Sequence, residues 1–146
     1  MEVITKNEKE TKKQSSFILK ECIKNKEKEK ASIIALSGDL GSGKTVFVKG
    51  LAEKLGIKER VLSPTYIIER SYQTKDKKHF STLIHIDAYR LTSEKELYTL
   101  NWEKNIKNSK NIICIEWPEN VKLAIPESSL NIFFTFVSEK KRLLKY

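Results

Sequence analysis

Four residues separate Gly38 from Gly43-Lys44-Thr45 in the stretch GDLGSGKT, the spacing required of a loop that wraps phosphates. Glycines let successive backbone N–H groups turn inward toward phosphate oxygens. A helix starting at the loop adds free N–H groups and the positive end of its dipole. The span Asp39, Leu40, Gly41, Ser42, Gly43, Lys44, Thr45 and Val46 is therefore read as the nucleotide seat. Lys44 reaches the β- and γ-phosphates, and Thr45 offers its hydroxyl to Mg²⁺.

Phosphate chemistry at such a loop also needs acids near the metal and a group that orients the attacking water. Two acids end apolar runs: Asp87 closes LIHID and Glu116 closes IICIE. An acid at the C-terminal tip of a strand points into the crevice where open α/β sheets bind ligands. Asp87 is expected to hold Mg²⁺ through its water shell. Glu116 is expected to orient or deprotonate the hydrolytic water, although the residue types alone leave the two roles exchangeable. Thr65 follows Ser63-Pro64, and the residue before a proline is pushed into an extended conformation. A threonine on such a turn could complete the Mg²⁺ shell when a triphosphate is present; the same three residues also make an ordinary turn.

These groups need a scaffold. The run SIIAL (32–36) is short and continuously apolar, the pattern of a strand buried on both faces. Phe47, Leu51 and Leu55 recur every fourth residue after the loop and predict a helix packed on that strand. Gly56 should end it in a left-handed turn, with Ile57 folding back. Upstream, a helix is expected over 8–28 with Phe17, Ile18, Cys22 and Ile23 on its buried face. Residues 65–72 and 82–89 read as a hairpin with a lysine-rich tip at 75–78. Ser93 and Glu96 make a capping box for a helix carrying Leu97 and Leu100. NIICIEW (111–117) is a second buried strand, stopped by Pro118. LNIFFTFV (130–137) is read as the last strand, with KKRLLKY as a basic tail. Alternating strands and helices with one intruding hairpin give an α/β fold: a P-loop three-layer sandwich around a mixed, mainly parallel sheet.

With 146 residues, one domain over 1–146 is expected. Apolar residues make up 39% of the chain and charged residues 32%, as in soluble domains. No apolar run approaches the ~20 residues of a bilayer span, and the charged start MEVITKNEKETKKQ lacks a signal-peptide core. A cytoplasmic protein without a membrane partner is the reading. Cys22 and Cys114, in apolar contexts, fit reduced core residues. The net charge of +9 is mostly lysine in solvated clusters, so charge alone argues only weakly for nucleic acid. His85 and His79 are read as structural and surface residues; no second nitrogen or sulfur ligand accompanies either.

GDLGSGKT, SPTY, HIDAYRL and IEWPE occur in this order. Together they resemble the TsaE family, the small P-loop ATPases of tRNA threonylcarbamoyladenosine biosynthesis, over roughly 32–126. The resemblance implies Mg²⁺-ATP binding and slow hydrolysis. It also implies partnership with a transferase pair of the TsaD and TsaB type, which places threonylcarbamoyl on the adenosine beside the tRNA anticodon, so that any contact with tRNA is indirect or weak. By position it makes Lys44, Asp87 and Glu116 catalytic. It places Thr45, Thr65, Asp87 and Glu116 around the metal and Thr11 near the adenine. Two residues depart from the family pattern. Val46 stands where a second threonine is common, removing a hydroxyl but keeping the N–H. Ala88 replaces a larger residue between Asp87 and Tyr89. Rival readings are a P-loop kinase for a small metabolite, disfavoured by the four arginines of the chain, and a subunit that only docks when loaded with ATP. A GTPase would carry an Asn/Thr-Lys-x-Asp guanine motif, which is missing.

Overall fold

A computed structural model describes residues 1–75 and 77–146. Of the lysine-rich hairpin tip at 75–78, Asp76 lies outside the described residues. Seven strands form one sheet: β1 (Glu2–Thr5), β2 (Ser32–Ser37), β3 (Glu69–Gln73), β4 (Thr82–Asp87), β5 (Asn111–Glu116), β6 (Leu130–Phe136) and β7 (Arg142–Lys145). Their order is β1-β7-β6-β2-β5-β4-β3. The four central strands run parallel, and antiparallel pairs finish both sides. The expected mixed, mainly parallel sheet is the observed one.

Period-2 alternation sorts the strand residues onto two faces. Ile34, Leu36, Leu83, Ile112, Cys114, Ile132 and Phe134 meet α1 (Glu8–Lys24) and α2 (Lys44–Lys54) through Ile18, Cys22, Phe47, Val48 and Leu51. Ile33, Ala35, Ile84, Ile86, Ile113 and Ile115 meet the opposite layer through Leu97, Trp102 and Val121. Those three residues come from α3 (Glu94–Tyr98), α4 (Trp102–Ile106) and the short helical segment Pro118–Ala124. Three layers result.

The crossing of α1 over α2 is set by Gly50, where an added Cβ would lie 2.6 Å from the Lys12 Cα. That close approach holds the start of α1, and Thr11 with it, beside the phosphate loop. The start is capped by Asn7, whose side chain accepts from the Glu10 N–H at 2.9 Å. Glu10 in turn accepts from the Lys6 N–H at 2.7 Å, tying the helix start to the residue ahead of its cap.

Several expectations are corrected. The helix α1 ends at Lys24, before 28, and Phe17 is half-exposed, leaving Ile18 and Cys22 as the buried pair. The first hairpin strand begins at Glu69, because residues 65–68 turn and Ile68 takes φ 67°. Its partner strand β4 ends at Asp87 instead of reaching Tyr89. The run KKRLLKY is no tail: Arg142–Lys145 forms β7, with Leu144 fully buried between β6 and β1. Val3-Ile4 belongs to the edge strand β1 that covers it. The missed strand is only four residues long, and Arg142 and Lys145 at its ends hide the single buried leucine. The helix-ending turn is as expected: Gly56 has φ 71°, and the Ile57 N–H returns to the Ala52 carbonyl at 3.0 Å.

Candidate active site at the phosphate loop

The loop from β2 to α2 passes through three left-handed glycines, Gly38 (φ 141°), Gly41 (φ 74°) and Gly43 (φ 104°). At Gly38 a second constraint applies, because a Cβ would run into the carbonyl oxygen of Phe134 on β6. Only glycine meets both the dihedral and the space. Gly43 sits at the N-cap of α2 with no side-chain cap, so the first N–H groups of the helix stay free for an acceptor in the cleft.

Lys44 folds over this loop. Its Nζ donates to the carbonyls of Gly38 at 2.5 Å and Asp39 at 2.9 Å, and stands 4.5 Å above the Trp117 ring. Burial pulls the lysine below its ordinary value of 10.5, and the carboxylates of Glu116, Asp87, Glu119 and Asp39 push back. An ammonium held by carbonyls and a ring face is a cation waiting for a stronger anionic partner.

The two strand-end acids lie side by side, Asp87 of β4 in register with Glu116 of β5, and both are buried. Each is held by a threonine. The Thr45 Oγ1 donates to Glu116 Oε1 at 3.0 Å, and the Thr65 Oγ1 donates to Asp87 Oδ2 at 2.8 Å. The Tyr89 N–H donates to the other oxygen, Asp87 Oδ1, at 3.0 Å. Ser63 Oγ lies 2.7 Å from Thr65 Oγ1. His85 is wholly buried, with Nε2 2.8 Å from Glu116 Oε1.

One cleft of about 680 Å³ contains Thr11, Leu40, Gly41, Ser42, Gly43, Lys44, Thr45, Val46, Thr65, Asp87 and Glu116. Every residue expected at the site lines it except Asp39, which is exposed and contributes its carbonyl to Lys44. Trp117 also lines the cleft, half-buried, with its ring centroid 5.0 Å from that of Tyr89. The residue is left-handed at φ 59°, a conformation with a steric cost for any side chain carrying a Cβ.

Sequence reasoning missed the far wall. Lys6, Asn7, Glu139, Lys140 and Arg142 also line the cleft. The Arg142 guanidinium donates to the Gly41 carbonyl at 3.2 Å and lies 4.8 Å from the Phe136 ring. Reading β7 as a tail removed its only signal, since a strand there pairs Arg142 with Phe136. Arg90 is exposed on the Tyr66 ring at 4.5 Å and does not line the cleft. A larger, mostly apolar cleft of about 780 Å³ opens beside Phe17, Ile18 and Leu130. It contains neither the loop glycines nor the strand-end acids.

Among the described residues no three His, Cys, Asp or Glu side chains group as a metal cage. Two carboxylates with two threonine hydroxyls nevertheless fit a hard cation that brings part of its own oxygen shell, as Mg²⁺ does with phosphates. No helix among the described residues is long and apolar enough to cross a membrane.

Comparisons with known proteins identify the family. The family described as threonylcarbamoyl adenosine biosynthesis protein TsaE matches residues 5–144. A tRNA threonylcarbamoyladenosine biosynthesis protein TsaE of Rickettsia felis is 32% identical over 142 residues, 97% of this chain and 76% of that protein. One of Treponema pallidum is 34% identical over 114 residues, covering 78% and 80%. The crystal structure of Bacillus subtilis YdiB superposes with a TM-score of 0.71 at 26% identity, over 99% of this chain and 82% of that one. The chain belongs to the TsaE family.

Proposed function

We propose that this chain is a Mg²⁺-dependent ATP hydrolase that serves tRNA threonylcarbamoyladenosine formation by driving repeated turnover of a partner transferase pair of the TsaD and TsaB type. The observation that carries the reading is the convergence of two threonine–carboxylate pairs on the opening of a glycine loop with free helix-end amides.

In this reading the loop amides of 39–45 and the Lys44 ammonium bind the β- and γ-phosphates. Lys44 exchanges the Gly38 and Asp39 carbonyls for phosphate oxygens, and gains because a charged acceptor makes the stronger bond. Thr45, Thr65 and Asp87 would hold Mg²⁺, which when bound neutralises charge on the phosphate oxygens. Glu116 orients the attacking water and takes its proton, a role that suits a carboxylate with one oxygen already fixed. Thr11 and the wall made by Arg142 and Lys140 enclose the rest of the nucleotide. The Val46 N–H keeps its place in the seat without the hydroxyl of a threonine.

In this reading the acceptor of the hydrolysis energy is another protein, reached through surfaces that change with the nucleotide. Tyr66, Tyr89 and Arg90 stand exposed around the mouth of the cleft and serve as that surface. Contact with tRNA is indirect or weak in this reading.

The test is multiple-turnover threonylcarbamoyladenosine formation with purified partners. Lys44→Ala should abolish ATP-dependent repeated turnover while circular dichroism stays that of the parent. Unaltered turnover rejects the proposal. Phosphate transfer to a metabolite in preference to water would make the chain a kinase. Full tRNA modification by a Glu116→Gln protein that hydrolyses nothing would make it a docking subunit.

A further inference from the structure

The strand β4 reads Leu83-Ile84-His85-Ile86-Asp87, and its alternation puts His85 in the row of Leu83 and Asp87, facing α1 and α2. An aliphatic side chain would fill such a place without loss, whereas an imidazole has two polar atoms to satisfy. His85 is 0% exposed. Its Nε2 lies 2.8 Å from Glu116 Oε1, and its Nδ1 has no hydrogen-bond partner among the described residues. The register explains the reach: His85 pairs with Cys114 and Asp87 with Glu116, so the imidazole meets the glutamate diagonally across two strands.

The bonds to Glu116 fall unevenly. Both described hydrogen bonds of its side chain, from Thr45 and from His85, end on Oε1. A carboxylate only accepts, so the hydrogen of this bond sits on the His85 Nε2, and Nδ1 is left in the apolar layer without a partner among the described residues. We infer that His85 is a positioning residue for hydrolysis: with Thr45 it clamps Oε1, so that Glu116 presents Oε2 alone to the attacking water. His85 does not line the cleft, and it acts only through Glu116. This rests on the hydrolysis reading given above, and sharpens it by naming the atom that meets the water.

Two substitutions separate positioning from packing. His85→Leu keeps the volume and loses the donor; His85→Gln returns an N–H₂ that reaches Glu116. With purified partners, His85→Leu should lower kcat for ATP hydrolysis about 10–100-fold, the usual size of losing a group that orients a functional ligand. The KM for ATP should stay within about twofold, and His85→Gln should restore most of kcat. The second readout needs no hydrolysis. Ring ¹⁵N shifts of the nucleotide-free parent should show the Nε2–H tautomer, and Glu116→Ala should remove that preference. Full kcat in His85→Leu, equal losses in both variants, or an Nδ1–H tautomer in the parent overturns the inference. A parent that hydrolyses no ATP with its partners refutes the hydrolysis reading instead, and the tautomer then still decides whether His85 holds Glu116. If His85→Leu does not fold, His85→Gln and the tautomer decide.

Discussion

Two threonine–carboxylate pairs face the phosphate loop, and they are anchored to different kinds of structure. Thr45 stands in the first turn of α2, which packs on the sheet through Phe47, Val48 and Leu51, each fully buried. Its partner Glu116 is gripped a second time by His85 from below. Thr65 stands on an irregular stretch whose neighbours Leu62, Tyr66 and Ile67 are exposed. Its partner Asp87 takes its other bond from the nearby Tyr89 N–H. One pair is built into the core at both ends, while the other joins the buried Asp87 to a threonine on a segment with little burial to hold it. Segments of that kind are the ones that reposition at low cost. The difference suits the proposed division of labour, in which Glu116 of the first pair fixes the water and Thr65 of the second closes on a metal that Thr45 and Asp87 already hold.

Substitutions at the two pairs should therefore fail in different ways. The largest expected effect is that of Glu116→Gln: kcat for ATP hydrolysis falls about 10²–10³-fold, the range for losing a general base, with little change in nucleotide affinity. Asp87→Asn should do the reverse. Magnesium-dependent nucleotide affinity should drop about 10–100-fold by calorimetry, with kcat at saturation reduced less. If the two profiles are exchanged, so are the roles. Thr65→Ala comes next, weakening affinity by roughly tenfold, about one charge-assisted bond, and only with a triphosphate bound. An equal loss with ADP would mean that the segment does not sense the γ-phosphate. Smallest is Val46→Thr, which adds a hydroxyl beside the loop; nucleotide affinity should tighten by about threefold or less, leaving the contrast between the pairs intact.

The same contrast governs how much was legible beforehand. Gly38, Gly43, Lys44 and Thr45 announce themselves because only those residue types satisfy the turn, the amide cradle and the cation together. Asp87 and Glu116 were visible as acids ending runs of Ile and Leu, where burial leaves no other reason for a carboxylate. His85 reads only as structural, since a single histidine in an apolar strand names no partner; that partner sits on the next strand, a relation set by register. Phe17 was placed in the core by helical spacing alone, yet it looks into an open cleft. Lys140 and Arg142 were lost with β7, whose four residues form a strand because β6 and β1 flank them. Local pattern finds groups whose chemistry is intrinsic to one segment. Groups whose role is given by a distant strand become visible only in three dimensions.

In the proposed function a triphosphate with its metal sits between the loop amides and the two acids. Calorimetric titration of the nucleotide-free protein with ATP, with Mg²⁺ and again after chelation, tests it most directly. The account predicts a single site whose affinity falls about tenfold or more without the metal and vanishes in Lys44→Ala. Binding that is absent, or equally tight with and without Mg²⁺, would contradict it.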